Sequence, residues 1–162
     1  MLELKFKRLT DTMTVPTKAH DNDACFDLYA DINIPILREG EEINEDTYFT
    51  NTIEIPPRSM VKVPTGFSTN IPHGWWGAIF PRSGIATKQH LRLANCTGVV
   101  DENYTGEWFV CLHNDSDEVQ RIYHGDRIAQ FVLLPAPETK LVEVNELDAT
   151  DRMSDGFGSS GR

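Results

Sequence analysis

Along most of this chain the apolar residues recur every second position, and they do so only in short runs. Leu2, Leu4 and Phe6 alternate with Glu3, Lys5 and Lys7, and comparable runs follow at residues 27–34, 52–55, 60–63, 75–80, 107–112 and 127–134. Pro56-Pro57, Pro64-Thr65-Gly66, Pro72-His73-Gly74 and His124-Gly125-Asp126 fall between the runs and read as turns. Only residues 83–90 suit a helix, and that helix is brief. Short strands without helical crossovers predict an all-β fold, a jelly-roll-like barrel or sandwich, and exclude a parallel α/β sheet. Residues 37–51, LREGEEINEDTYFTN, are acidic and read as a surface excursion between two strands. From residue 148 onward the chain is small and polar, which by default makes a frayed tail.

Charge narrows the function. The 162 residues hold 15 Lys and Arg against 25 Asp and Glu, a net charge of −10. Such a field repels phosphate backbones and anionic membrane surfaces, so any anionic ligand needs a local cluster of cations. The chain has no apolar run of membrane-spanning length and no leader-like start, so a cytoplasmic protein is expected. Its cysteines, Cys25, Cys96 and Cys111, are odd in number and form no CxxC pair, which fits reduced thiols.

Four segments could carry chemistry. In Pro81-Arg82-Ser83-Gly84 an Arg fork, a hydroxyl and amides at a helix start make the parts of an anion site, and equally the parts of a polar turn with a serine cap. In Asn95-Cys-Thr-Gly-Val-Val-Asp-Glu-Asn-Tyr-Thr-Gly-Glu107, Val99 and Val100 place Asp101 at a strand end, and Tyr104 reads as returning on the second arm of a hairpin. An ionised carboxylate there can orient and deprotonate water, or simply bond its own turn. Gln130 stands in the apolar run 127–134 and its amide needs a partner. The tail offers amides and hydroxyls around Phe157, without the order of a P-loop. Histidine spacing suits no zinc site, and Asp21-Asn22-Asp23 lacks the remaining features of a calcium loop. Asp27 remains as a lone carboxylate able to hold a hydrated magnesium ion.

In order and over nearly the whole chain, these segments resemble the five motifs of the homotrimeric dUTPase family. They are AHDNDACFDLYA (residues 19–30), PRSG (81–84), NCTGVVDENYTGE (95–107), GDRIAQ (125–130) and RMSDGFGSSG (152–161). The resemblance implies a single dUTPase domain over 1–162, with a jelly-roll β core at 1–147 and a C-terminal flap at 148–162 that closes a neighbouring subunit's site. It implies a homotrimer with active sites shared between subunits, and hydrolysis of dUTP to dUMP and pyrophosphate by Mg²⁺-assisted attack of water on the α-phosphorus. That reaction keeps uracil out of DNA and supplies dUMP for thymidylate synthesis.

Carried over by position, Asp101 would be the base, and Arg82, Ser83 and Gly84 would hold phosphates. Asn95 with the backbone of Gly98, Val99 and Val100 would read uracil, and Tyr104 would pack on the deoxyribose. Gln130 would assist the α-phosphate or a water on the metal. Arg152, Gly158, Ser159 and Ser160 would hold the γ-phosphate, Phe157 would stack on the base, and Asp27 would meet Mg²⁺ through water. Cys25, Met153 and Asp155 stand where the family has glycines, and the excursion at 37–51 is longer than the family's connection. A dCTP deaminase of the same fold is the neighbouring alternative. A regulatory module that binds a protein partner is the other, hinted at only by the excursion; neither a nucleic acid nor a membrane is an expected partner.

Overall fold

The computed structural model describes residues 2–149. Its elements in order are β1 (Lys5–Arg8), β2 (Phe26–Tyr29), β3 (Ile34–Pro35), β4 (Phe49–Thr50), β5 (Thr52–Ile55), β6 (Met60–Asn70), β7 (Trp75–Phe80), α1 (Ser83–Gln89), β8 (Leu91–Leu93), β9 (Gly98–Val100), β10 (Glu107–Asn114), β11 (Gln120–Tyr123) and β12 (Arg127–Pro135). Two four-stranded sheets, ordered β1-β6-β10-β8 and β2-β12-β7-β9, carry the fold, and β11-β5 and β3-β4 form two further pairs. Every pairing is antiparallel. In the two large sheets no neighbours are consecutive in sequence, so the chain keeps crossing between layers, as a jelly roll requires. The expected all-β class with one short helix is the class observed.

Strand β10 shows how the pattern becomes a core. Its side chains alternate in burial along its length, sending Trp108, Val110, Leu112 and Asn114 inward. The Trp108 ring meets Phe67 of β6 and Phe131 of β12 edge-on, with centroids 5.3 and 5.0 Å away, and so joins the two sheets. Across from it, β7 offers Gly77, where an added Cβ would lie 2.7 Å from the indole ring. Asn114 is fully buried and its amide donates to the carbonyls of Ile55, Pro56 and Glu118, which fixes the loops at that end.

One of the expected turns needs correction, and the excursion keeps its expected place. Strand β6 does not stop at Pro64-Thr65-Gly66 but runs through it. The register against β10 slips there, Gly66 takes φ +62°, and Glu107 Oε1 accepts the amides of Thr65 (3.1 Å) and Gly66 (2.9 Å). The glycine permits a bulge rather than a turn, and the carboxylate satisfies the amides that the bulge unpairs. The excursion at 37–51 is closed at its base by the β3-β4 pair and by Ile36 N–H donating to the Tyr48 carbonyl (2.7 Å), with Tyr48 79% exposed.

Helix α1 follows expectation, with His90 ending it in a left-handed conformation (φ 54°) while its N–H bonds the Ile85 carbonyl. No helix among the described residues is long and apolar enough to cross a membrane. All three cysteines are free thiols. After β12 the described chain continues without further strands, anchored at first by Ala136 N–H to the Gly74 carbonyl (2.7 Å), and it leaves Leu141 (93%) and Leu147 (89%) exposed.

Replacing Gly77 by Ala should force the Trp108 ring or β7 to shift. We expect a loss of about 1–3 kcal/mol in stability, read as a lower urea midpoint at an unchanged m-value.

Candidate active site

Strand register builds the first half of the site. On β12, Gln130 pairs with Asp27 of β2 on one side and Phe80 of β7 on the other. Pro81 and Arg82 follow directly on from β7. Three of the motifs that lie far apart in sequence are thereby set side by side. Gln130 Nε2 donates to the Pro81 carbonyl (2.9 Å), so the partner its amide required is the turn leading into PRSG.

Asp27 is 9% exposed and both of its oxygens are engaged. Arg82 Nε donates to Oδ1 at 2.7 Å and Arg127 Nη1 donates to Oδ2 at 3.2 Å, while Arg82 Nη1 bonds the Arg127 carbonyl at 3.3 Å. One carboxylate thus holds two guanidiniums over a cleft of about 460 Å³, lined also by Ala19, Asp23, Cys25, Ser83 and Gln130. Most of the guanidinium donors are not used by these bonds and can serve an anion.

Arg127 is a site residue that sequence reasoning missed. Three positions from Gln130, it belongs on the opposite face of a regular strand. A one-residue register shift between Arg127 and Ala129 brings it back to the Asp27 side. The only sequence signal is the adjacent apolar pair Ile128-Ala129, both buried, which breaks the alternation.

Ser83 is exposed at the first position of α1, and no side chain caps that helix, whose N-cap position is Arg82. The serine cap is therefore not the role observed. Gly84 has open space where a Cβ would stand. At Cys25 the backbone is not left-handed, so the residue standing in place of a glycine requires no strain, and burial pushes its thiol pKa upward.

The second half is built on β9, which lies along β7 with Gly98 opposite Ile79 and Val100 opposite Gly77. Gly98 is buried tightly enough that a Cβ would come within 3.0 Å of the Ile79 Cβ. Val99 is exposed and Val100 buried. Asp101 and Tyr104 then form a turn, with Tyr104 N–H donating to the Asp101 carbonyl (3.1 Å). The hairpin expected here is not present. β9 belongs to one sheet and β10 to the other, so the chain arches between layers.

Tyr104 lies over Gly106, where a Cβ would clash with its ring, and its hydroxyl donates to the Glu107 carbonyl (2.8 Å). Asn95, Gly98, Val99, Asp101 and Tyr104 line a shallow cleft of about 250 Å³. Among the described residues the Asp101 side chain is exposed and takes no hydrogen bond, so its carboxylate is open to solvent.

The two halves sit at opposite ends of β7. Asp101 follows Val100, which faces Gly77 near the start of that strand, whereas Arg82 comes after its end at Phe80. At ~3.3 Å per residue they are roughly 15–20 Å apart. Arg152, Phe157, Gly158, Ser159 and Ser160 lie outside the described residues. Among the described residues no three His, Cys, Asp or Glu side chains converge as a metal cage. Both Asp27 oxygens already accept from arginine, so this carboxylate would suit a hydrated Mg²⁺ met through water rather than a directly ligated ion.

The dUTPase family model matches residues 44–161. The chain is 34% identical over 160 residues to the deoxyuridine 5'-triphosphate nucleotidohydrolase of Gloeobacter violaceus, covering 99% of this chain and 97% of that one. Among solved structures it resembles a dUTPase mutant of Staphylococcus bacteriophage 80alpha with dUpNHpp, at 25% identity, TM-score 0.81 and full coverage of both chains. A dUTPase mutant from phage phi11 of S. aureus, described with a structural Mg(II) ion, shares the fold at 22% identity and TM-score 0.70, over 90% of this chain and 98% of that one.

Substituting Asp27 by Asn should leave Arg82 and Arg127 facing each other without a counter-charge. Stability should fall by about 1–3 kcal/mol, and added salt should restore part of it by screening. Thermal midpoints at low and high ionic strength check both points.

Proposed function

The chain belongs to the dUTPase family, and we propose that its reaction, hydrolysis of dUTP to dUMP and pyrophosphate, runs at sites completed by several copies of the chain. The observation that carries this is the separation along β7: a base at Asp101 cannot reach a phosphate held by Arg82 of its own chain when the two lie roughly 15–20 Å apart. An Asp101 from a neighbour can. The exposed Leu141, Val142, Val144 and Leu147 after β12 support the same view, since an apolar segment without cover in its own chain suits an intersubunit position. The family resemblance supports reading the assembly as a homotrimer, with residues 148–162 as the flap and residues 1–147 as the core.

Within such a site the chemistry divides between the halves. Arg82 and Arg127, with Ser83 and the Gly84 amide, bind the phosphates and stabilise charge that develops as the α-phosphorus is attacked. Gln130, braced by the Pro81 carbonyl, positions the α-phosphate. From the other chain, Asp101 orients the water and accepts its proton, and pyrophosphate leaves on the opposite side. Asn95 and the backbone of Gly98, Val99 and Val100 pair with the edge of uracil, and a cytosine there would leave donors unpaired. Tyr104, fixed by its bond to the Glu107 carbonyl, packs on the sugar and leaves no room for a 2′-hydroxyl.

Arg152, Gly158, Ser159 and Ser160 take the γ-phosphate, and Phe157 covers the base. Asp27 would hold Mg²⁺ through water, and the ion would supply neutralisation of phosphate charge. We assign the protein to the cytoplasm, where free cysteines persist and nucleotide pools lie. The reaction removes a uracil source from DNA synthesis and supplies dUMP for thymidylate synthesis.

With dUTP and Mg²⁺ the protein should release pyrophosphate, and Asp101→Asn should cut kcat by about 10²–10⁴-fold with little change in nucleotide affinity. Unchanged turnover in that variant would remove the assigned base, and ammonia from dCTP would point to the deaminase instead.

A shared site makes a further prediction. Arg82→Ala and Asp101→Asn chains, each inactive alone, should regain a measurable fraction of activity when unfolded together and refolded as mixed assemblies. Activity no greater than the sum of the two separate samples would place each site within one chain.

A further inference from the structure

The turn that carries Asp101 has no ladder to hold it. β9 ends at Val100, β10 begins at Glu107 in the other sheet, and the six residues between bridge the two layers. From outside, Ser68 Oγ donates to the Thr105 carbonyl (2.6 Å) at the far end of these residues, and the side chain of Glu102 holds the end that carries Asp101. Its Oε2 accepts the Gly74 N–H at 2.8 Å, and its two oxygens lie 3.1 and 3.2 Å from His73 Nδ1. Gly74, at φ +78°, turns the chain into β7. Its other polar group, the carbonyl, accepts the N–H of Ala136, the first residue after β12. The turn at residues 72–75 is therefore a junction, with one face on the Asp101 turn and the other on the start of the segment that leaves the β core. His73 also reaches that segment, with Nε2 3.9 Å from Glu138.

We propose that Glu102 is a positioning residue for the reaction, its carboxylate tying the Asp101 turn to the turn at residues 72–75 and through it to the root of the C-terminal arm. The proposal rests on Asp101 being the base. Glu102 touches no reacting atom. It acts on the reaction through the angle at which Asp101 is presented, and a general base displaced by an ångström loses much of its rate.

The two ties respond differently to pH. The Glu102 carboxyl pKa is held below the ordinary range, first by the Gly74 N–H and then by His73, so the bond to Gly74 persists through neutral and alkaline pH. The His73 pKa is raised, chiefly by its hydrogen bond to Glu102 and then by that residue's charge, with Glu138 adding to it. A raised imidazole pKa means that this tie is complete below the ordinary value near 6.5 and fades as pH rises through the folded value. Glu102 and Glu138 are the charged side chains in contact with His73 among the described residues.

The test uses the full-length assembly with dUTP and Mg²⁺, measuring kcat, KM and thermal midpoint from pH 6 to 9 for Glu102→Ala and Glu102→Gln, with Asp101→Asn as reference. Glu102→Ala should lose about tenfold in kcat while KM stays within about twofold and the thermal midpoint barely moves. Glu102→Gln keeps an oxygen for the Gly74 N–H, so it should recover most of the lost kcat, and more fully as pH rises, since the parent's own tie to His73 fades in that direction. A Glu102→Ala kcat within twofold of the parent overturns the proposal. So does a loss in kcat matched by a falling thermal midpoint and no recovery with Gln, which marks a merely structural contact. Should Asp101→Asn itself turn over normally, the base assignment fails and the proposal falls with it, distinguishably from the other two outcomes.

Discussion

The indole of Trp108 sets the spacing on which the rest of the molecule depends. It fills the gap between sheets against Phe67 and Phe131, and only a glycine at position 77 lets β7 lie close enough to close over it. β7 then links the parts of the described site: the turn at residues 72–75 precedes it, β9 leading to Asp101 runs along one edge, β12 with Arg127 and Gln130 runs along the other, and Arg82 follows its far end. The same stretch of β10 also holds its own sheet, since Glu107 captures the β6 bulge and the Trp108 carbonyl accepts the Thr65 hydroxyl (2.6 Å). Packing and hydrogen bonding thus converge on two adjacent residues, and a change in ring size there would move both halves of the site relative to the core.

Charge is handled by concentration rather than by overall balance. A chain at −10 holds two guanidiniums around one buried aspartate, which on the proposed reading is where the triphosphate binds. Two like charges ~4 Å apart repel by about 4 kcal/mol at an effective dielectric near 20, and Asp27 offsets that repulsion before any ligand arrives. The arginines are therefore oriented in advance, and a phosphate meets donors that need little rearrangement.

Much of this was legible in the residues. Period-two alternation located β5, β7, β10 and β12 closely, and the isolated amide of Gln130 announced a partner that proved to be Pro81. The failures share a cause: each depends on register or layer, which alternation cannot express. Pro64-Thr65-Gly66 has the letters of a turn, yet Glu107, more than forty residues away, supplies the bonds that turn it into a bulge. Arg127 is brought to Asp27 by one inserted strand position. Asp101 and Tyr104 read as a hairpin because nothing local says that β9 and β10 belong to different sheets. The Glu102 contact with Gly74 spans two turns whose proximity exists only once β9 lies beside β7.

The place of β12 has a consequence in time. It is the last strand of the described chain, yet it sits inside its sheet, between β2 and β7, and its partner Asp27 is a hundred residues earlier. During synthesis, β2 and β7 must wait with unpaired edges until residue 135 has emerged, because neither has a neighbour that can bridge them sooner. The half that carries Asp27, Arg82 and Arg127 and the apolar segment that follows it therefore become available almost together. The delay between forming that half and releasing Leu141 to Leu147 is set by a few residues of translation.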